Sequence, residues 1–284
     1  MAFLDHIVAC NHHDLSKFLP FVVEETRVGW VRHDMARRLA AFPEAFRIIR
    51  DKVQLHPALT APDQRSAMVD AVAAELHDAW GTPRLRGERY RVVRRFGDEP
   101  LMSIDRGVVS LFGIRAFGVH VNGIVRRPDG LHLWIGRRAA DKSVAPGKLD
   151  NMVAGGQPAG LSLHDNLLKE AAEEADIPAE IAAAACPVGA ITYCMEDEWG
   201  LKPDIMYCYD LELPEGFTPR NTDGEISDFT LMPVAEVARQ VRDTGNFKFN
   251  VNLVLIDFLI RHGLLSPDAE PDYMEIIIGL RRAE

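Results

Sequence analysis

Three carboxylates, Glu170, Glu173 and Glu174, stand at i, i+3 and i+4 in the segment GGQPAGLSLHDNLLKEAAEEADI, residues 155–177. On an α-helix that spacing projects them from one side. Hard oxygen donors so placed can converge on a divalent cation, Mg²⁺ or Mn²⁺. An acidic helix face alone is most often simply solvated. Here the glycine pair Gly155 and Gly156 and a short loop precede the helix, and the combination raises the odds of a metal site.

The elements that must position these residues are legible nearby. Leu167, Leu168, Ala171, Ala172 and Ala175 form an apolar stripe at helical spacing, with the glutamates assigned to the other side. Ser162 followed by Asp165 resembles a capping box, and Pro178 marks the stop. Downstream and upstream, Phe117 to Arg126 and Leu131 to Arg138 read as a hairpin closed by a Pro-Asp-Gly turn. Strands are expected at Ala190 to Met195, Ile205 to Leu213 and Asp228 to Met232, and helices at Val234 to Asp243 and Asn250 to His262. This order fits an α/β class with a mixed sheet flanked by helices.

Residues before about 110 read as a separate, smaller unit. Asp63 to Trp80 has a helical pattern with Val69, Val72, Leu76 and Trp80 on one face, GTPRLRG supplies turn residues, and Arg89 to Phe96 reads as a strand. The expected division is 1–110 and 111–284.

With 284 residues, 47% hydrophobic and 26% charged, the composition is that of an ordinary globule. A formal charge of −10 disfavours nucleic acid and anionic membranes as partners, while Arg126, Arg127, Arg137, Arg138 and Lys142 leave room for a locally basic pocket taking a small anion. Cys10, Cys186, Cys194 and Cys208 lack CxxC spacing, and no signal-like segment opens the chain, so a reduced, cytoplasmic protein is expected. The apolar run VNLVLIDFLI from Val251 is short and interrupted by Asn252 and Asp257, as in a packing helix. A homodimer is compatible with all of this.

The run KEAAEEADI, Lys169 to Ile177, together with its glycine loop, resembles the Nudix box of hydrolases that cut diphosphates linked to a further moiety. It departs from that pattern at Lys169, where Arg is usual, at Asp176, where Gly is usual, and in a loop about one residue short that leaves Leu161 or Ser162 where a first Glu is expected. The segments Val121 to Gly156, DGEISDFTLMPVAEV and NVNLVLIDFLIRHGLL resemble the Nudix subfamily associated with thiamine diphosphate and its damaged analogues, whose members carry an N-terminal domain of uncharacterised role.

The resemblance implies an α/β/α sandwich preceded by a smaller α+β domain, with Glu170, Glu173 and Glu174 as metal ligands. It also implies hydrolysis through one or more ions that bridge the diphosphate and activate a water for in-line attack. Glu225, in the turn Asp223-Gly224-Glu225, is the expected base, with Glu196, Asp197 and Glu198 as a second acidic candidate. Arg138, Lys142, Gly155 and Gly156 are expected at the substrate phosphates, Trp199 or Tyr193 could stack on a heteroaromatic ring, and His262 is expected to be structural.

Three other readings stay open. ADP-ribose or a dinucleotide could be the substrate. RRAADKSVAPGKLDN is similar to a segment of isopentenyl diphosphate isomerase, although no cysteine follows Asn151. A catalytically silent binding domain is the last.

Overall fold

The computed structural model describes residues 2–282. Helix α1 (Phe3–Cys10) is followed by strands β1 (Phe18–Val23) and β2 (Thr26–Arg32), helix α2 (His33–Leu39), strands β3 (Phe46–Ile49) and β4 (Lys52–Leu55) and helix α3 (Pro62–Trp80). The four strands form one sheet in the order β2-β1-β4-β3, with β1 and β4 parallel and the other pairs antiparallel. Phe21, Phe46 and Phe112 meet at its centre, with ring centroids 5.5 to 6.1 Å apart. Val69, Val72 and Leu76 of α3 are buried as their spacing requires, whereas Trp80 is 45% exposed and sits under the Arg38 guanidinium.

A two-stranded ribbon follows, β5 (Arg89–Val92) with β6 (Met102–Asp105). The strand expected to reach Phe96 stops at Val92. The Asp98 carboxylate accepts from the Arg95 amide at 3.1 Å and its own amide donates to the Arg95 carbonyl at 3.0 Å, folding the chain into a turn. Helix α1 does not join this unit: Phe3, Ile7 and Cys10 pack into the core of the second sheet.

That sheet has the order β11-β12-β7-β8-β13, from β7 (Phe117–Arg127), β8 (Gly130–Arg138), β9 (Leu149–Asp150), β10 (Val153–Gly156), β11 (Cys186–Glu196), β12 (Leu201–Glu212) and β13 (Ile226–Pro233). β9 pairs with β8 and β10 with β7; β12 runs parallel to β7, and the remaining pairs are antiparallel. Side chains alternate faces along a strand. Val121, Val125, Trp134 and Leu211 therefore pack toward helices α4 (Leu163–Ala175) and α5 (Ala179–Ala182), and Ile124, Leu133, Ile135 and Met206 toward α6 (Val234–Asp243), α7 (Val251–Arg261) and α8 (Tyr273–Gly279). The result is a mixed sheet between two helical layers.

Nine of the eleven residues of α7 are buried, including Asn252 and Asp257. The Asp257 carboxylate is held by Arg261 at 2.7 Å and Arg281 at 2.5 Å, which compensates its burial. Among the described residues no helix is long and apolar enough to cross a membrane.

A chain of polar groups crosses this interior. His120 Nδ1 donates to Asn151 Oδ1, Asn151 Nδ2 to Asn122 Oδ1, and Asn122 Nδ2 to Asp210 Oδ1, each at 2.9 Å. Arg261 and His262 close on Asp210, so His262 is structural here. Burial, followed by the nearby Lys248 charge, lowers the His120 pKa to about 4, against the opposing pull of Asp150 and Asn151. The unfolded imidazole takes up its proton near pH 6.5, so the neutral folded form contributes stability above that pH and loses it as pH falls toward 4. His120→Asn keeps the donor to Asn151 and is expected to lose about 3 kcal/mol less than the wild-type protein over this interval. Urea unfolding at pH 7 and pH 4 measures the difference; identical losses would contradict the buried neutral imidazole.

Candidate active site

Helix α4 begins where Ser162 accepts from the Asp165 amide at 3.1 Å while its hydroxyl donates to the Asp165 carboxylate at 2.7 Å. Leu167, Ala171 and Ala175 are its buried apolar residues. Glu174, however, lies on the same side as these, and Ala172 faces solvent. The steps from 167 to 171 and from 171 to 174 are helical neighbours, so the expected separation of apolar and acidic sides does not hold for Glu174. The helix ends at Asp176, which adopts the left-handed conformation with φ 54° where glycine is favoured, its carboxylate held by Arg220.

Burying Glu174 brings α4 against the glycine strand β10. The Glu174 carboxylate accepts from the Ala154 amide at 2.8 Å. A Cβ on Gly155 would overlap the Glu170 carboxyl group, and one on Gly156 would overlap the Tyr90 hydroxyl. Glycine at both positions permits this close approach. Asn166 Nδ2 ties the helix to the Gly156 carbonyl at 2.9 Å. Lys169 bridges the outer carboxylates, 3.3 Å from Glu170 and 2.6 Å from Glu173.

Burial raises the pKa of Glu170, and the Lys169 charge only partly offsets it. The shift at Glu174 is larger: burial drives it well above the usual range, the Ala154 hydrogen bond opposes this, and repulsion from Glu170, Asp150 and Glu225 adds to it. Among the described residues, no three acidic, histidine or cysteine side chains already surround a common point. The donor set nevertheless fits a hard divalent ion: anionic oxygens, a glycine cradle that leaves room at Glu170, and mutual repulsion that a cation would relieve.

Beside β10 a cavity of about 800 Å³ opens between the two units, lined by Ala154, Gly155 and Gly156 but not by Glu170, Glu173 or Glu174, which lie behind that strand. Gly155, Gly156, Arg138, Lys142, Trp199, Tyr193, Asp197, Glu198 and Glu225 all line it. Lys142 is ion-paired with Glu225. Burial would raise the Glu225 pKa, but the Lys142 hydrogen bond and charge, with Arg106 and Arg138, hold it below the usual value.

Arg138, expected at the substrate phosphates, lines the cavity with its guanidinium bonded to the neighbouring loop. Its Nη1 bonds Asp150 at 2.7 Å, its Nη2 the Val144 carbonyl at 2.9 Å, and its Nε the Val144 and Ala145 carbonyls at 3.1 and 3.2 Å. The acidic run is also occupied structurally. Glu196 bonds the Asp14 amide and Lys17, while Asp197 accepts from the Trp199 and Gly200 amides at the hairpin tip. Tyr193 packs edge-on against Phe249 and donates to Asp204, so its ring is core rather than a stacking platform.

Several lining residues have no local sequence signal: Tyr90, Arg84, Arg86 and Arg106 from the first unit, and His120 and Lys248 from the second. Only the hydrophobic patterning of both units together could have pointed to the wall they share.

A carboxyl group whose folded pKa is raised contributes stability below its unfolded value and loses it as pH rises through the folded value. The metal-free protein is therefore expected to lose stability above about pH 4.5 as Glu174 is forced to ionise, and Glu174→Gln removes that contribution. Mg²⁺ at a hundred times its dissociation constant should add about 2.7 kcal/mol to the wild-type protein and much less to the variant. Thermal unfolding at about pH 4 and about pH 8, with and without Mg²⁺, checks both; equal responses of the two proteins would contradict this environment for Glu174.

Residues 116–251 match the NUDIX domain family, and residues 2–116 match a family described as Domain of unknown function (DUF4743). Nudix hydrolase 24, chloroplastic, of Arabidopsis thaliana is 40% identical over 99% of this chain and 78% of that protein. Nudix hydrolase 20, chloroplastic, of the same plant is also 40% identical, with the same shares covered. An uncharacterized protein of Saccharomyces cerevisiae is 29% identical over 85% of this chain and 75% of its own length. With the box helix, the glycine strand and the mixed sheet between helical layers, these likenesses show that the chain belongs to the Nudix hydrolase family, enzymes that cleave the diphosphate bonds of small molecules.

Proposed function

We propose that this chain hydrolyses the diphosphate of a small organic compound, thiamine diphosphate or its oxidised analogues, to the monophosphate and phosphate. The observation that carries the reaction is the packing of Glu170 and Glu174 against β10, whose glycines line a cavity large enough for such a ligand. The subfamily resemblance of residues 121–156 and the N-terminal unit support the thiamine compounds as the organic part.

Nudix hydrolases generally use a divalent metal such as Mg²⁺ or Mn²⁺. In this reading Glu170, Glu173 and Glu174 would hold it, with Lys169 giving up its two carboxylates. When bound, it would offset charge on the phosphoryl oxygens and lower the pKa of a water. The protein's remaining work is positioning. Lys142 sits at the cavity wall where a phosphate oxygen can replace Glu225 as its partner. Gly155 and Gly156 line the cavity and let Glu170 and the Tyr90 hydroxyl close on β10 beside the diphosphate. Glu225, on the same cavity wall and held below the usual carboxylate pKa beside Lys142, would accept the proton of the attacking water. Arg138 acts through the loop it holds.

Phosphate release with Mg²⁺ or Mn²⁺ against thiamine diphosphate, oxothiamine diphosphate, ADP-ribose, NADH and nucleoside triphosphates tests this reading. The thiamine compounds should be preferred. Glu174→Gln should lower kcat by about two to three orders of magnitude, the scale of several kcal/mol of lost transition-state stabilisation. Glu225→Gln should lower it about a hundredfold and remove the acidic limb of the pH profile. Preference for another substrate would overturn the thiamine assignment, and full activity of Glu174→Gln would overturn the site.

A further inference from the structure

One part of the cavity wall is built for something other than phosphate. Asp204 Oδ1 and Asn250 Oδ1 are buried without a hydrogen-bond partner among the described residues, and both side chains line the cavity. Asn250 is only 7% exposed. Neither is loosely held: Tyr193 donates to Asp204 Oδ2 at 2.7 Å, Lys202 lies 3.8 Å from that same oxygen, and Asn250 Nδ2 meets the Met206 sulfur at 3.4 Å. Buried acceptors are normally paired, and an unpaired one needs a reason.

The register brings a third acceptor to the same face. Met206 pairs with Gly118 and Cys208 with His120, so Asp204, Met206 and His120 point to the same side of the sheet. His120 is neutral with its Nδ1–H committed to Asn151, which leaves Nε2 with a lone pair. Two further lysines also line the cavity, Lys202 beside Asp204 and Lys248 paired with Asp150, but the unpartnered atoms of Asp204 and Asn250 are acceptors and call for a donor rather than a phosphate oxygen. Trp199 and Phe249 flank it with aromatic surface.

We infer that Asp204 and Asn250 bind the N–H groups of an amino-substituted nitrogen heteroaromatic ring carried by the substrate. An exocyclic amine has two N–H donors, enough for both free oxygens, and the flat ring suits the aromatic flanks. The inference rests on the proposed diphosphate site, since it fixes the organic end of a substrate whose phosphates lie at β10. Sites built to hydrogen-bond a substrate group reject analogues lacking it, because their own buried groups are then left unpaired.

The test compares kcat/KM, with Mg²⁺, for thiamine diphosphate and for the analogue whose ring amino group is replaced by a carbonyl oxygen. The wild-type enzyme should prefer the amine about a hundredfold. Asn250→Ala should bring the amine substrate down to the level of the oxo analogue, and Asp204→Asn should shrink the preference. Asn250→Asp, which keeps the acceptor, should restore most of it. A general structural defect would lower both compounds equally and leave the ratio intact, and that result overturns the inference.

Failure of the thiamine assignment is distinguishable. It shows as wild-type turnover of ADP-ribose but not of thiamine diphosphate, and the same ratio is then read from ADP-ribose and its inosine counterpart. A ratio near one for the wild type in either pair overturns the acceptor wall, and absence of turnover of both amine compounds overturns it together with the diphosphate site.

Discussion

The contact on which the site depends is between a helix and a strand that has given up its side chains. Glu174 is buried because its carboxylate takes the Ala154 amide, and Glu170 lies flat against β10 because residue 155 has no Cβ. Two carboxylates in a dry, crowded place are unfavourable by themselves. Apolar packing of Leu167, Ala171 and Ala175 against the sheet holds them there. The fold thus stores an electrostatic conflict that a divalent cation would resolve, which is what a family of metal-using hydrolases requires of its scaffold.

The cavity is a joint product of both units. Tyr90, from the ribbon of the N-terminal domain, reaches Gly156, and Arg84, Arg86 and Arg106 come from neighbouring turns of that domain. Asp105 organises those turns by accepting from the Arg86, Gly87 and Gly107 amides at 2.7 to 2.8 Å. Hairpin β11–β12 is anchored in the other direction, where Arg32 bonds the Glu198 carbonyl at 3.1 Å. The N-terminal domain therefore forms one wall of the cavity rather than an independent appendage.

Much of this was legible in the sequence, for physical reasons. Periodicity identified α3, α4, α6 and α7, and the Pro-Asp-Gly turn identified the β7–β8 hairpin, because each signal is local. Glu225 and Lys142 were expected near the substrate and do line the cavity, although their mutual ion pair was not foreseen. What a local signal does not carry is a contact with a second segment. The burial of Glu174 depends on β10, the hydrogen bonds of Arg138 on Asp150 and the 144–145 carbonyls, and the packing of Tyr193 on Phe249. The four-stranded sheet of the first unit and the placement of α1 against α7 and α8 were missed because short strands and an eight-residue helix carry little periodic signal.

A single methyl group at residue 155 leaves every carboxylate in place and fills only the cradle. Mn²⁺ binding, followed by electron paramagnetic resonance or calorimetry, is compared between the wild-type protein and Gly155→Ala. The added methyl meets the flexible end of Glu170, so the fold should survive while that carboxylate is displaced. Affinity should weaken about tenfold or more, the scale of a lost interaction of 1.4 kcal/mol. Unchanged affinity in a folded variant would mean that the ion is held elsewhere.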